Sequence, residues 1–196
     1  SLTVAGSAVG GSSHFDGAKI MDMPQSYLNC LYPFGDNQDR FGNPFTTYVQ
    51  YFQFLAPKSG DITKLGIRCS SYSGDADVQV GIYSDSNGSP TSLLGFVEVS
   101  IDSASTFDST LLSTITLVKG VQYWVGYLVD DSTVNNSLHG SDTTNRAMCG
   151  TGQSGGNQTK RGMLRSDNNA TSLPSTPSSI SGYWNTMIPQ VYCVIG

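Results

Sequence analysis

Residues 76–83 read Ala-Asp-Val-Gln-Val-Gly-Ile-Tyr (ADVQVGIY), and this octapeptide decides the fold class. Ala76, Val78, Val80 and Ile82 fall on one side of an extended chain, and Asp77, Gln79 and Gly81 on the other. That is the period of a half-buried β-strand, not of a helix. Working outward, runs of the same kind recur at Tyr48–Leu55, Ile62–Cys69, Leu93–Ile101, Leu111–Leu117, Val121–Val129 and Pro189–Ile195. Pro57-Lys58-Ser59-Gly60, Ser73-Gly74-Asp75, Ser86-Asn87-Gly88-Ser89-Pro90 and Lys119-Gly120 separate them, all residues that accept turn geometry. Short strands closed by tight turns at this spacing predict an all-β fold: a two-sheet antiparallel β-sandwich, jelly-roll-like, built from hairpins. Alternation puts Leu65, Ile67, Val78, Val80, Ile82, Ile115, Val191 and Ile195 in its core.

Composition agrees. The 196 residues include 28 Ser, 17 Thr, 22 Gly and 11 Asn, and only 13% are charged, against roughly 25% in ordinary domains. Glu98 is the sole Glu among 15 acidic residues, so strong helix formers are scarce. Residues 1–25 are rich in Gly and Ser with sparse apolar positions, and read as an extended N-terminal arm. Residues 26–196 read as one sandwich domain, with long polar loops over 131–188 and two or three short strands there, hinted at by Ala147–Cys149 and Gly162–Leu164.

Charge removes several function classes. A net charge of −5, with ten Lys and Arg dispersed along the chain and adjacent only at Lys160-Arg161, offers no footprint for a phosphate backbone, so no nucleic-acid partner is expected. The longest apolar run, Val121–Val129, is too short to span a bilayer as a helix, so no membrane partner is expected either. Cys30, Cys69, Cys149 and Cys193 lack metal-ligand spacing, and only His14 and His139 are available to assist them. Cys69 and Cys193 lie at strand spacing among apolar residues and are expected to be reduced core thiols, although an even count leaves disulfides open. No metal and no cofactor are expected.

Two catalytic patterns overlap at residues 150–156. Gly150, Gly152 and Gly155 spell a dinucleotide loop, and Gly152, Ser154 and Gly156 a nucleophile elbow. No helix-forming sequence follows the first, and both histidines precede Ser154, the wrong order for the second. The carboxylate pairs Asp36 and Asp39, Asp75 and Asp77, and Asp130 and Asp131 read as turn and strand-end residues rather than as the acid and base of a glycosidase. Asp85 with Asn87, or Asp142 in its loop, lack the pattern of a calcium loop. Asn-x-Ser/Thr sequons at Asn87, Asn135, Asn157 and Asn169 match what so much Ser and Thr produces by chance. Aromatics in or beside loops and near polar residues occur at Tyr72, Tyr83, Tyr183 and Trp184, and of these Tyr72, Tyr183 and Trp184 form a candidate platform for a sugar ring or receptor. Tyr123 and Trp124, in the longest strand, read as core.

Residues 54–95 (FLAPKSGDITKLGIRCSSYSGDADVQVGIYSDSNGSPTSLLG) with 117–131 (LVKGVQYWVGYLVDD) resemble a β-sandwich module of bacteriophage virion proteins that also occurs on bacterial surface proteins. The resemblance rests on Phe54, Pro57, Ser59 to Ile62, Leu65, Val78, Val80, Ile82, Tyr83, Asp85, Leu93 to Gly95, Gly120, Tyr123 and Trp124. Leu173 to Ser178 (LPSTPS) and Ile188 to Ile195 look like the ending of the phage versions. The resemblance implies a non-enzymatic particle component, a capsid decoration or cement protein or a tail fibre, with no catalytic residues to transfer. Its expected partners are other virion proteins and copies of itself, and its expected place is the virion. The alternative is a carbohydrate- or receptor-binding module of a secreted or surface protein, whose partner would be a host-surface glycan. In either case Leu2, Val4, Val9 and Phe15 are candidate assembly residues of the arm, apt to add a strand to another subunit's open sheet edge.

Overall fold

The computed structural model describes residues 29–30, 39–42, 48–56, 58–129, 137–141, 163–166, 169–178, 182–184, 188–189 and 191–195. The arm lies outside these residues, as do Ala147–Cys149. Thirteen strands are present among them: β1 (Asn29–Cys30), β2 (Asp39–Gly42), β3 (Val49–Leu55), β4 (Gly60–Ser71), β5 (Ala76–Ser86), β6 (Ser89–Ile101), β7 (Thr106–Leu117), β8 (Gln122–Val129), β9 (Ser137–Ser141), β10 (Met163–Ser166), β11 (Gly182–Trp184), β12 (Ile188–Pro189) and β13 (Val191–Ile195). All pairings are antiparallel, in two sheets.

The first sheet is centred on β4, with β13 and then β1 on one edge and β7 on the other; β9 joins the far end of β4 and also pairs β2 and β12. The second has the order β11-β10-β3-β8-β5-β6. The chain from β3 to β8 shuttles between two ends of the sandwich. Loops 56–59, 87–88 and 118–121 gather at one end, and turns 72–75 and 102–105 at the other. Residues 102–105 carry the chain from β6, the edge of the second sheet, to β7, an edge of the first, so these two strands close one flank.

Between the sheets lies one apolar layer. Ile62, Leu65, Ile67, Cys69, Ile115, Leu117, Val191, Cys193 and Ile195 from the first sheet meet Phe52, Phe54, Val78, Val80, Ile82, Val97, Val99, Val125 and Tyr127 from the second. Every core residue expected from alternation is buried there. Full burial of each aliphatic side chain contributes roughly 1.5–3 kcal/mol. The three-residue step from Ile62 to Leu65 breaks strict alternation, and a β-bulge explains it. The successive residues Val194 and Ile195 of β13 pair Lys64 and Ile62, so β4 carries Thr63 as an extra residue and both Ile62 and Leu65 reach the core. The Asn87-Gly88 turn has positive φ at both residues, 53° and 75°, as a two-residue hairpin requires.

The middle of the second sheet is covered on both faces. On its outer side Val49, Tyr51, Tyr83, Trp124 and Leu128 are buried beneath residues 169–178, which cross the sheet as a strap and contribute Leu173. Nearly continuous burial along β8 follows from this and explains its unbroken apolar sequence.

Candidate functional site

Two glycines shape the floor under the strap. A side chain at Gly81 would meet the Leu173 and Leu93 methyls at 2.9 Å, so its absence opens the notch that Leu173 fills. A side chain at Gly126 would lie 2.6 Å from the Tyr83 ring and 3.1 Å from Tyr51, whose rings meet edge to face at 5.2 Å. Three hydrogen bonds fasten the strap. The Tyr83 hydroxyl donates to the Pro174 carbonyl at 2.8 Å, the Leu173 amide donates to Gln79 Oε1 at 2.8 Å, and the Leu93 amide donates to the Ser175 carbonyl at 2.9 Å. The outer face of this sheet is therefore packed against the chain itself.

Beside the strap, Asp85 anchors a polar cluster. Its Oδ1 accepts from Trp124 Nε1 at 2.7 Å and from Gln122 Nε2 at 2.8 Å, and its Oδ2 from the Gly88 amide at 3.3 Å. Gln122 Nε2 also donates to Gln53 Oε1 at 3.1 Å. These contacts satisfy a buried indole and fix the hairpin turn, which gives Asp85 a structural task in place of calcium binding with Asn87. Asp75 accepts from the Tyr72 hydroxyl at 2.5 Å, and Asp77 accepts from Ser100 at 2.5 Å, so this pair serves separate cross-links. Cys69 is buried and donates to the Ser71 carbonyl, and burial pushes its thiol pKa up, away from the reactive thiolate. Cys193 is buried in the core, Cys30 lies opposite Tyr192, and Cys149 is outside the described residues.

Exposed apolar side chains concentrate in two places. On the flank, Leu94 and Phe96 of β6 are well exposed, and Leu112 of β7 is fully so, at 102%. Leu112 rides on the stretch Leu111–Thr114 that the β7 bulge leaves without register partners on β4. At the end bearing loops 56–59 and 118–121, Leu55, Val118 and Val121 are 65%, 52% and 43% exposed. Backbone bonds from Ala56 to Val121, Gly120 to Ala56 and Val121 to Val118 hold them together.

Of the residues singled out from sequence, Tyr72 is exposed in the turn between β4 and β5. Hydrogen bonding to Asp75 is the largest cause raising its phenol pKa, followed by slight burial and the charges of Asp75 and Asp102. Tyr183 and Trp184 lie on β11, opposite Leu164 and Met163. Tyr72 thus stands in a turn that follows β4 of the first sheet, and Tyr183 and Trp184 on β11 at an edge of the second. Trp124, 2% exposed, is core. His139 pairs Arg40 across β9 and β2, while His14, Ser154, Asp142, Leu2, Val4, Val9 and Phe15 lie outside the described residues.

Sequence reading missed the two apolar patches, although signals for both exist. Leu111-Leu112 places two apolar residues in succession within an alternating strand, and Val118 and Val121 sit inside a turn. Both patterns commit an aliphatic side chain to solvent or to a partner. No protein-family model matches the chain, and no curated protein matches it.

Proposed function

We propose that the protein is a non-enzymatic structural component of a bacteriophage virion, of the capsid decoration, cement or tail-fibre kind, that works through subunit contacts. The observation that supports this reading most is the flank where β6 meets β7. Leu94 and Phe96 of β6 and the fully exposed Leu112 of β7 stand there on two edge strands of the sandwich. Large apolar side chains left exposed on edge strands fit an interaction site. On this reading the N-terminal residues Leu2, Val4, Val9 and Phe15 are the segment that packs on a neighbour's flank. An arm of one copy seated on the flank of the next is a heterologous contact that closes into a ring or continues as a lattice.

Analytical ultracentrifugation over a wide concentration range tests the proposal. The intact chain is expected to associate, and Leu112→Lys or deletion of residues 1–13 is expected to weaken association while leaving the subunit's melting temperature nearly unchanged. A wild-type chain that stays monomeric throughout, or that turns over ester or glycoside substrates, would overturn it. Binding on a glycan array that is lost with Tyr72→Ala would point instead to the carbohydrate-binding alternative.

A further inference from the structure

The strap lies on the second sheet as a bound peptide lies in a groove. Among residues 169–178 only Leu173 is buried, while Thr171, Ser172, Ser175, Thr176 and Ser178 are exposed. The hydrogen bonds from Tyr83, to Gln79 and from Leu93 all meet backbone groups of the strap, and all fall within Leu173–Ser175. The sheet thus grips an extended backbone and one leucine. Pro174 and Pro177 stand three residues apart, and their fixed φ lowers the cost of holding that extended form. The floor of the groove is fixed by contacts in which the strap takes no part. Asp85 holds the Trp124 indole, the Tyr51 and Tyr83 rings meet edge to face, and Gln79 Nε2 donates to Glu98 at 2.9 Å, which aims its Oε1 at the Leu173 amide. Gly81 leaves the notch for the leucine. An aromatic floor with its own fixings is the form in which proteins take proline-bearing segments.

We propose that this groove is a recognition site for an extended Leu-Pro segment, filled by the chain's own strap and open to exchange with the strap of a second copy. The structure itself supplies the occupant, because residues 173–175 sit in the groove. Every copy carries both groove and segment, so a neighbour's strap makes the same three bonds and fills the same notch, and exchange needs no further surface. A covering layer with one buried side chain belongs to the low end of local stability, and it lifts without unfolding the sheet beneath it. Exchange uses neither the flank nor the arm, so it stands or falls separately from the subunit contact proposed above.

Two full-length variants test the exchange, both in a Leu112→Lys background that disables the flank contact. Leu173→Asp spoils the strap and keeps the groove, whereas Gly81→Val fills the notch and keeps the strap. Sedimentation is expected to show a heterodimer in their mixture and none in either variant alone. A labelled peptide of residues 169–178 is expected to bind the Leu173→Asp chain saturably, and to lose binding when its own leucine is replaced by aspartate. The Leu112→Lys parent should bind the same peptide roughly tenfold or more weakly, because its strap already occupies the groove. A mixture that stays monomeric overturns exchange; peptide binding that persists in that case assigns the groove to a Leu-Pro segment of another protein. Should either variant fail to fold, hydrogen exchange on the unaltered chain decides. The Leu93 and Leu173 amides are expected to exchange faster than those of Val80 and Val125 in the sheet, and exchange at the strap only through global unfolding overturns the proposal.

Discussion

Gly126→Ala isolates the packing between the second sheet and its strap. The new methyl would sit 2.6 Å from Tyr83 Cε2 and 3.1 Å from Tyr51 Cε1, where carbon atoms in contact prefer about 3.5–4.0 Å. The Tyr83 ring must therefore retreat by roughly 1 Å. It has little freedom to do so, being wholly buried, held by the Pro174 carbonyl at 2.8 Å and packed edge-on against Tyr51. Overpacking of this kind costs about 1–3 kcal/mol. Loss of the Tyr83 hydrogen bond adds about 0.5–1.5 kcal/mol, while the backbone entropy saved by replacing glycine returns under ~1 kcal/mol. The net expectation is ~2–3 kcal/mol of destabilisation, or a melting temperature lower by roughly 5–10 °C in a domain of this size. Hydrogen exchange should also accelerate at the Leu93 and Leu173 amides, which bond to and from the strap. Gly88→Ala serves as the comparison, because a side chain there meets nothing within 4 Å and is strained only by the φ of +75°. A Gly126→Ala protein within about 0.5 kcal/mol of wild type, with unchanged exchange at the strap, would refute the claim that this glycine exists to seat the tyrosine pair.

Asp85→Ala should destabilise by about 1–3 kcal/mol in chemical denaturation, because Trp124 Nε1–H stays buried and loses its acceptor, and Asp85→Asn, which keeps an acceptor oxygen, should cost less. Tyr127, fully buried on the inner face, has its phenol pKa pushed well above the ordinary 10.0 by burial. The unfolded chain therefore releases this proton before the folded one does. Its contribution to stability is complete below pH 10 and declines as pH rises beyond it, by at most ~1.4 kcal/mol per pH unit. Melting curves from pH 8 to pH 11.5 should fall less steeply for Tyr127→Phe than for wild type, and superimposable pH profiles would count against this account.

Strand identity and the inner core were legible in the sequence because one face of most strands, β3 and β8 excepted, is solvated or loosely covered, and alternation records that difference. Ala76, Val78, Val80 and Ile82 specify their face without reference to any other part of the chain. The Asn87-Gly88 turn was legible for a similar reason, since positive φ at two successive residues is a local demand. Non-local features were not legible. Alternation says nothing about a second layer, so the burial of Tyr51, Tyr83 and Trp124 under Leu173 depends on a strap some 90 residues distant from Tyr83. The β4 bulge converts an apparent phase error between Ile62 and Leu65 into continuous core. Tyr72, Tyr183 and Trp184 looked alike as loop aromatics, and only the topology puts the first in the turn after β4 and the other two on β11. Sequence determined which residues leave water, because that choice is made by each side chain's own chemistry. Tertiary structure decided which of them meet, because strand order, register and the covering of a face are set by contacts between segments that no local pattern encodes.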